Sequence, residues 1–176
     1  MILIKKIFIT NGMARCGKDT FAKFLSELTP TMKYSSIDKV KDIAYLCGWE
    51  GAKTERDRKF LSDLKLLTTE YSDMPFKKIK EMVNKFNNDK DHSIMLIDIR
   101  EPDEIERAKT VFGAKTILIE NNRVKHISSN MADANVFSYK YDYIVENNSS
   151  LEEFKSNVKK FYRSILEEED EDGDRK

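Results

Sequence analysis

The chain has 176 residues and carries 31 basic against 31 acidic side chains, for no net charge. That length suits a single domain able to bury a core without staples, and neutrality removes the global attraction behind nonspecific nucleic-acid binding, so direct nucleic-acid contact is not expected. Two cysteines, Cys16 and Cys47, lie outside any CxxC pair, which excludes a disulfide framework or thiolate zinc site and suits a reducing, cytoplasmic setting.

Along the chain, Met1 to Ile9 is an apolar run broken by Lys5 and Lys6, too short to span a bilayer, and Ile7 to Thr10 within it reads as a strand. After a glycine-containing loop, Phe21, Leu25 and Leu28 share one helix face. Met32 to Ser36 is a second strand, followed by helical spacings at Val40, Ile43 and Cys47, then Phe60, Leu64, Leu67 and Tyr71, then Phe76, Ile79, Val83 and Phe86. Ile94 to Asp98 forms a third strand. The next helix begins near Pro102, where proline fits the first turn and Asp103 and Glu104 complement the helix dipole; it buries Ile105 and Ala108 and stops at Gly113. Lys115 to Ile119 and Tyr141 to Val145 are further strands. Ser150 and Glu153 stand at capping-box spacing before a stripe of Leu151, Phe154, Val158, Phe161 and Ile165. From residue 167 the acidic run EEEDED has nothing apolar to bury and is expected to be disordered. Strands alternating with helices give an α/β domain over residues 1–166, its five-stranded sheet mainly parallel and covered on both faces.

The first strand, loop and helix contain GMARCGK, which matches GxxxxGK at the strand-to-helix junction where a phosphate loop belongs. Gly12 and Gly17 permit tight turns, the backbone of Ala14, Arg15 and Cys16 directs N–H groups inward, and the helix start offers unpaired donors to ATP phosphates. Lys18 then bridges the outer phosphates. Asp19 replaces the usual hydroxyl residue after that lysine and Thr20 follows, so either is a magnesium ligand, while Asp19 also suits a helix N-terminus without any metal. Cys16 is either a tolerated loop residue or a redox-sensing thiol.

Asp98 ends its strand at the carboxyl edge, where open parallel sheets hold ligands, and is a candidate magnesium ligand. Arg100 offers a planar fork to an acceptor phosphate, or pairs with Asp98 structurally. Asp38, after the second strand, either caps a helix or faces the acceptor. Arg56, with Arg58 as fallback, either binds an acceptor phosphate or belongs to a solvated face with Glu55 and Asp57. Arg123 and Lys125 either neutralise a transferring phosphoryl group or stay in solvent. His92 and His126 lack a second ligand at metal spacing and read as ordinary polar residues.

The segment GMARCGKDT resembles the phosphate loop of phage-type deoxynucleoside monophosphate kinases, within the wider nucleoside monophosphate kinase group. The segments SSIDKVKDIAYLCGW, IMLIDIREPDEIERAK and YDYIVENNSSLEEF are similar to its later parts. The resemblance implies a three-layer P-loop nucleotide kinase fold, a helical acceptor-binding insertion at about 38–88 and a lid at about 120–137. It further implies ATP with Mg2+ as donor and a small-molecule nucleotide as acceptor, and a homodimer is compatible with it. In the lid region, His126 is followed by ISSN, where the family has a glutamate. The alternatives are transfer to a hydroxyl, as in dephospho-coenzyme A kinases, with Asp38 as base, or a non-catalytic nucleotide-binding regulator.

Overall fold

The computed structural model describes residues 5–124 and 136–173. Five strands, β1 (Lys6–Asn11), β2 (Thr31–Ser35), β3 (Ile94–Asp98), β4 (Lys115–Glu120) and β5 (Tyr143–Glu146), form one sheet in the order β2-β3-β1-β4-β5. Every pairing is parallel, so the expected mainly parallel sheet is wholly so among the described residues. Six helices accompany it among those residues: α1 (Lys18–Ser26), α2 (Asp38–Leu46), α3 (Glu55–Ser72), α4 (Met74–Asn88), α5 (Pro102–Phe112) and α6 (Leu151–Gly173).

Alternation along β1 divides the core into two layers. Phe8 faces one side, where Phe21 and Leu25 of α1 meet Phe154, Val158 and Phe161 of α6, all buried. The Phe161 ring lies 5.5 Å from Phe8 and 5.6 Å from Phe21, centroid to centroid. Ile9 faces the other side with Met95 and Ile97, against Ile79, Val83 and Phe86 of α4 and Ile105 of α5. Period-two alternation in the central strand and period 3.6 in the helices therefore produce helix, sheet and helix layers.

The local signals act as their chemistry requires. Pro102 opens α5, and Gly113 closes it in the left-handed conformation. The Ser150 hydroxyl accepts the Glu153 N–H at 3.1 Å at the start of α6. Three expectations are corrected. Of the stripe expected on α3, Phe60 and Leu64 turn inward and are half-buried beside Leu61, Lys65 and Thr68, whereas Leu67 and Tyr71 are exposed, and α3 contains no buried residue. Cys47 and Leu151, assigned to packed stripes, are exposed too. The last helix does not stop at 166 but continues to Gly173. Glu168 supplies the reason, since it accepts hydrogen bonds from Lys115 Nζ and the Tyr143 hydroxyl at 2.7 Å and anchors a turn with no apolar residue to bury.

The register sets the ligand edge. Thr10 of β1 and Ser35 of β2 both lie opposite Asp98 of β3, so three carboxyl ends meet beside the loop that leads into α1.

Candidate phosphate-binding site

The loop between β1 and α1 turns through three residues with positive φ: Gly12 at 148°, Arg15 at 65° and Gly17 at 109°. A side chain at Gly12 would place its Cβ 2.5 Å from the Ile119 carbonyl oxygen and 2.6 Å from Cys16 Sγ, and one at Gly17 would meet Asn147 Nδ2 at 2.6 Å. Both glycines are thus required by space as well as by conformation. Gly17 occupies the N-cap of α1 without any side-chain cap, which leaves the first-turn donors of the helix directed at the loop.

Lys18 folds over this loop. Its Nζ donates to the Gly12 carbonyl at 2.7 Å and the Met13 carbonyl at 3.4 Å, with Cys16 Sγ at 3.8 Å. Ala14 and Thr20 are half-buried, and Arg15 is exposed. Cys16 is 1 % exposed. Burial pushes its thiol up against the opposing effect of Lys18, contrary to the thiolate that redox sensing requires.

Two polar side chains hold the loop from outside. Asn11 Oδ1 accepts the Gly12 N–H at 2.8 Å, and Asn11 Nδ2 donates to the Tyr141 hydroxyl at 2.8 Å and the Arg100 carbonyl at 3.3 Å. Asn147, just after β5, donates from Nδ2 to the Cys16 carbonyl at 2.9 Å, while its own N–H bonds the Glu120 carbonyl at 2.7 Å. Arg123 joins this edge through a 3.1 Å bond from its guanidinium to the Asn147 carbonyl. The sequence marks Asn147 only as part of an asparagine-containing turn. Lys125 and His126 lie outside the described residues.

The carboxylates of Asp19 and Asp98, assigned separately from sequence, converge on one cation. Lys33 Nζ, carried by β2, pairs with Asp19 Oδ1 and lies 3.1 Å from Asp98 Oδ2. The Thr10 hydroxyl donates to Asp98 Oδ1, so Thr10 and Lys33 engage both oxygens of Asp98. The hydrogen bond and charge of Lys33 hold the Asp19 carboxyl below its ordinary range. Burial depresses the Lys33 ammonium, but Asp98 and Asp19 outweigh it and the net shift is upward. Lys33 is the site residue that sequence reasoning missed. Asp19 also lies in the first turn of α1, where an acidic side chain suits the helix dipole.

Asp38, Arg56, Arg58 and His92 have other partners or settings. Asp38 opens α2, but its Oδ2 accepts the Ser35 N–H at 2.8 Å, closing the preceding turn rather than capping the helix. Lys41 lies 3.2 Å from its other oxygen. Arg56 and Arg58 occupy the first turn of α3 behind a Thr54–Asp57 capping box, Arg56 exposed and Arg58 half-buried. Neither forms a hydrogen bond or ion pair with a loop residue among the described residues. His92 Nδ1 lies 3.1 Å from Asp89 Oδ2, a local polar pair.

As a donor set, two carboxylates brought within reach of one ammonium suit a hard divalent ion such as magnesium. Among the described residues no cluster of three or more histidine, cysteine or acidic side chains forms a metal cage. Asp19 and Asp98 are the carboxylates at this edge that could hold such an ion. No described helix is long and apolar enough to cross a membrane.

No family model matches the chain, and no curated protein matches it. Solved structures do. A dephospho-CoA kinase from Campylobacter jejuni superposes at TM-score 0.52 with 20 % identity, covering 92 % of this chain and 97 % of that one. A shikimate kinase from Aquifex aeolicus gives 0.51 with 17 % identity and the same coverages, 92 % and 97 %. An unliganded sugar kinase from a Janibacter species gives 0.50 with 11 % identity, covering 88 % and 92 %. The parallel sheet, the loop between β1 and α1 and the helices on both faces together give this chain the P-loop kinase fold.

Proposed function

We propose that this chain transfers the γ-phosphoryl group of ATP to a nucleoside or deoxynucleoside monophosphate. The observation that carries the reading is the loop over residues 12–20, where three positive-φ residues, an uncapped helix start and the Lys18 ammonium come together in one turn. Backbone donors with a helix dipole behind them suit a polyphosphate. Lys18 Nζ, now on the Gly12 carbonyl, transfers to the outer phosphates when they enter.

Asp19, Thr20 and Asp98 would hold magnesium, which would supply charge neutralisation for phosphoryl transfer. Lys18 orients the phosphates, and Arg123 contributes positive charge from the β4 side. Arg100, Arg56 and Arg58 hold the acceptor phosphate, with Arg100 at the carboxyl edge of β3.

A phosphate acceptor is largely dianionic at neutral pH and requires no general base. A hydroxyl acceptor requires a carboxylate to receive its proton. In this reading Asp19 and Asp98 are given to the metal, and Asp38 is engaged by the Ser35 N–H and by Lys41. These commitments favour the phosphate acceptor over the hydroxyl alternative.

The test is ATP binding by calorimetry together with coupled ADP release across ribo- and deoxynucleoside monophosphates. We expect one acceptor class to support turnover, and Lys18→Ala to weaken ATP binding by about 10–100-fold, the loss typical of a charged hydrogen bond to phosphate. ATP binding without turnover on any acceptor would leave the regulator reading. ATP binding undiminished by Lys18→Ala would refute the phosphate site itself.

A further inference from the structure

We propose that Lys33 is a resident countercation, occupying the metal position between Asp19 and Asp98 in the nucleotide-free chain and yielding it when a divalent ion arrives with a polyphosphate. The inference rests on the phosphate-site reading and deepens it.

Three observations carry it. The two carboxylates come from different elements, the first turn of α1 and the end of β3, and they meet only at Lys33 Nζ. The Asp19 side chain is 97 % exposed, so packing does not hold it and its orientation follows the ammonium. Lys33 itself projects from β2 with a side chain 31 % exposed, on a flexible four-carbon stem that can leave without unpacking the sheet.

The charge balance gives the arrangement a direction. Lys33 pairs with both carboxylates, and Lys18 and Lys53 also act on Asp19, so no net negative charge is left to attract a bare divalent ion, and that ion must first displace a bonded lysine. An ion arriving with a polyphosphate brings anionic oxygens to which Lys33 can transfer its hydrogen bonds, so metal and lysine exchange without leaving either charge unpaired. Lys33 thereby couples metal entry to nucleotide entry and becomes a further positioning residue for the donor phosphates.

The test uses the full chain without nucleotide and Mn2+ as probe, with free ion read from its paramagnetic resonance signal. Lys33→Met should bind Mn2+ about ten-fold or more tightly than the parent, because a neighbouring unit positive charge has gone. Lys33→Arg keeps the charge and should match the parent. Adding Asp98→Asn to Lys33→Met should abolish the gain, which locates the ion. Lys33→Gln repeats the measurement should the methionine variant fail to fold by circular dichroism. With saturating non-hydrolysable ATP analogue present, the gap between parent and variant should shrink severalfold. Equal Mn2+ affinity of the folded variants and parent, a gain that survives loss of Asp98, or a gap unchanged by bound nucleotide overturns the proposal. If the parent binds no ATP analogue, the phosphate-site reading fails on its own, and the nucleotide-free titration still decides whether Lys33 guards the two carboxylates.

Discussion

Gly17 and Asn147 meet across the loop, and their contact sets a narrow tolerance for substitution. An alanine at Gly17 adopts φ near 109° at a conformational cost and drives its Cβ to 2.6 Å from Asn147 Nδ2, which must then release the Cys16 carbonyl. Gly17→Ala should lower unfolding stability by about 1–3 kcal/mol in urea denaturation, from backbone strain and crowding combined. Asn147→Ala tests the same joint from the other side. Losing the bond to the Cys16 carbonyl should cost about 1 kcal/mol, and ATP binding should fall with it because the loop loses its outer support. Unchanged nucleotide affinity in this variant would show that the loop holds its shape without β5. At this scale the sequence was informative where a conformation is demanded, as at Gly12 and Gly17. It was silent where the partner comes from elsewhere: Lys33 is one of many lysines until the order β2-β3-β1 sets it beside Asp98 and Asp19.

The helices between β2 and β3 divide sharply in how they are held. Helix α4 buries Phe76, Ile79, Val83 and Phe86, as its spacing predicts. Helix α3 has no fully buried residue and adds ionic contacts to its half-buried side chains at one face. Lys65 Nζ reaches Glu101 and Glu104, both at 2.7 Å, and Ser36 Oγ at 3.3 Å, tying α3 to the start of α5 and the end of β2. The sequence places the first half of the α3 stripe, Phe60 and Leu64, but not the second, because leucines at 61, 64, 66 and 67 satisfy two overlapping helical stripes, and the Lys65 contacts lie on the face that turns inward.

Burial pushes the Glu104 carboxyl up to about 7, only partly offset by Lys65 and reinforced by Glu101, whereas Lys65 holds Glu101 low despite its own burial. A carboxyl raised above its unfolded value of 4.5 favours folding fully below that pH. The benefit disappears as pH rises through about 7. Glu104→Gln, which stays neutral, should therefore gain stability relative to the parent between pH 5 and pH 8, by on the order of 1–3 kcal/mol. Urea midpoints at the two pH values measure it, and a constant difference would place the proton elsewhere.

Across the whole molecule, Phe161 joins elements from both ends of the chain, touching Phe8 of β1, Phe21 of α1 and Tyr143 of β5. Phe161→Ala should remove about 3–5 kcal/mol, the cost of a buried aromatic and its cavity. Because that cavity opens in the layer shared by α1 and α6, a single cooperative transition should shift as a unit when followed by fluorescence and circular dichroism. The layered α/β architecture was readable because each strand is a short apolar run and most helices keep one apolar stripe. The added length of α6 was not, since Glu168 acquires its partners Lys115 and Tyr143 only once β4 and β5 lie side by side.

The bond from Asn147 to the Cys16 carbonyl spans 131 positions of chain, and β1 lies between two strands that begin at Ile94 and Lys115. During translation, the loop of residues 12–20 is therefore made long before the segment that completes it. A nascent polypeptide stalled on the ribosome before β5 emerges lacks this clasp, so under the proposed function competence to capture ATP would arise late in synthesis.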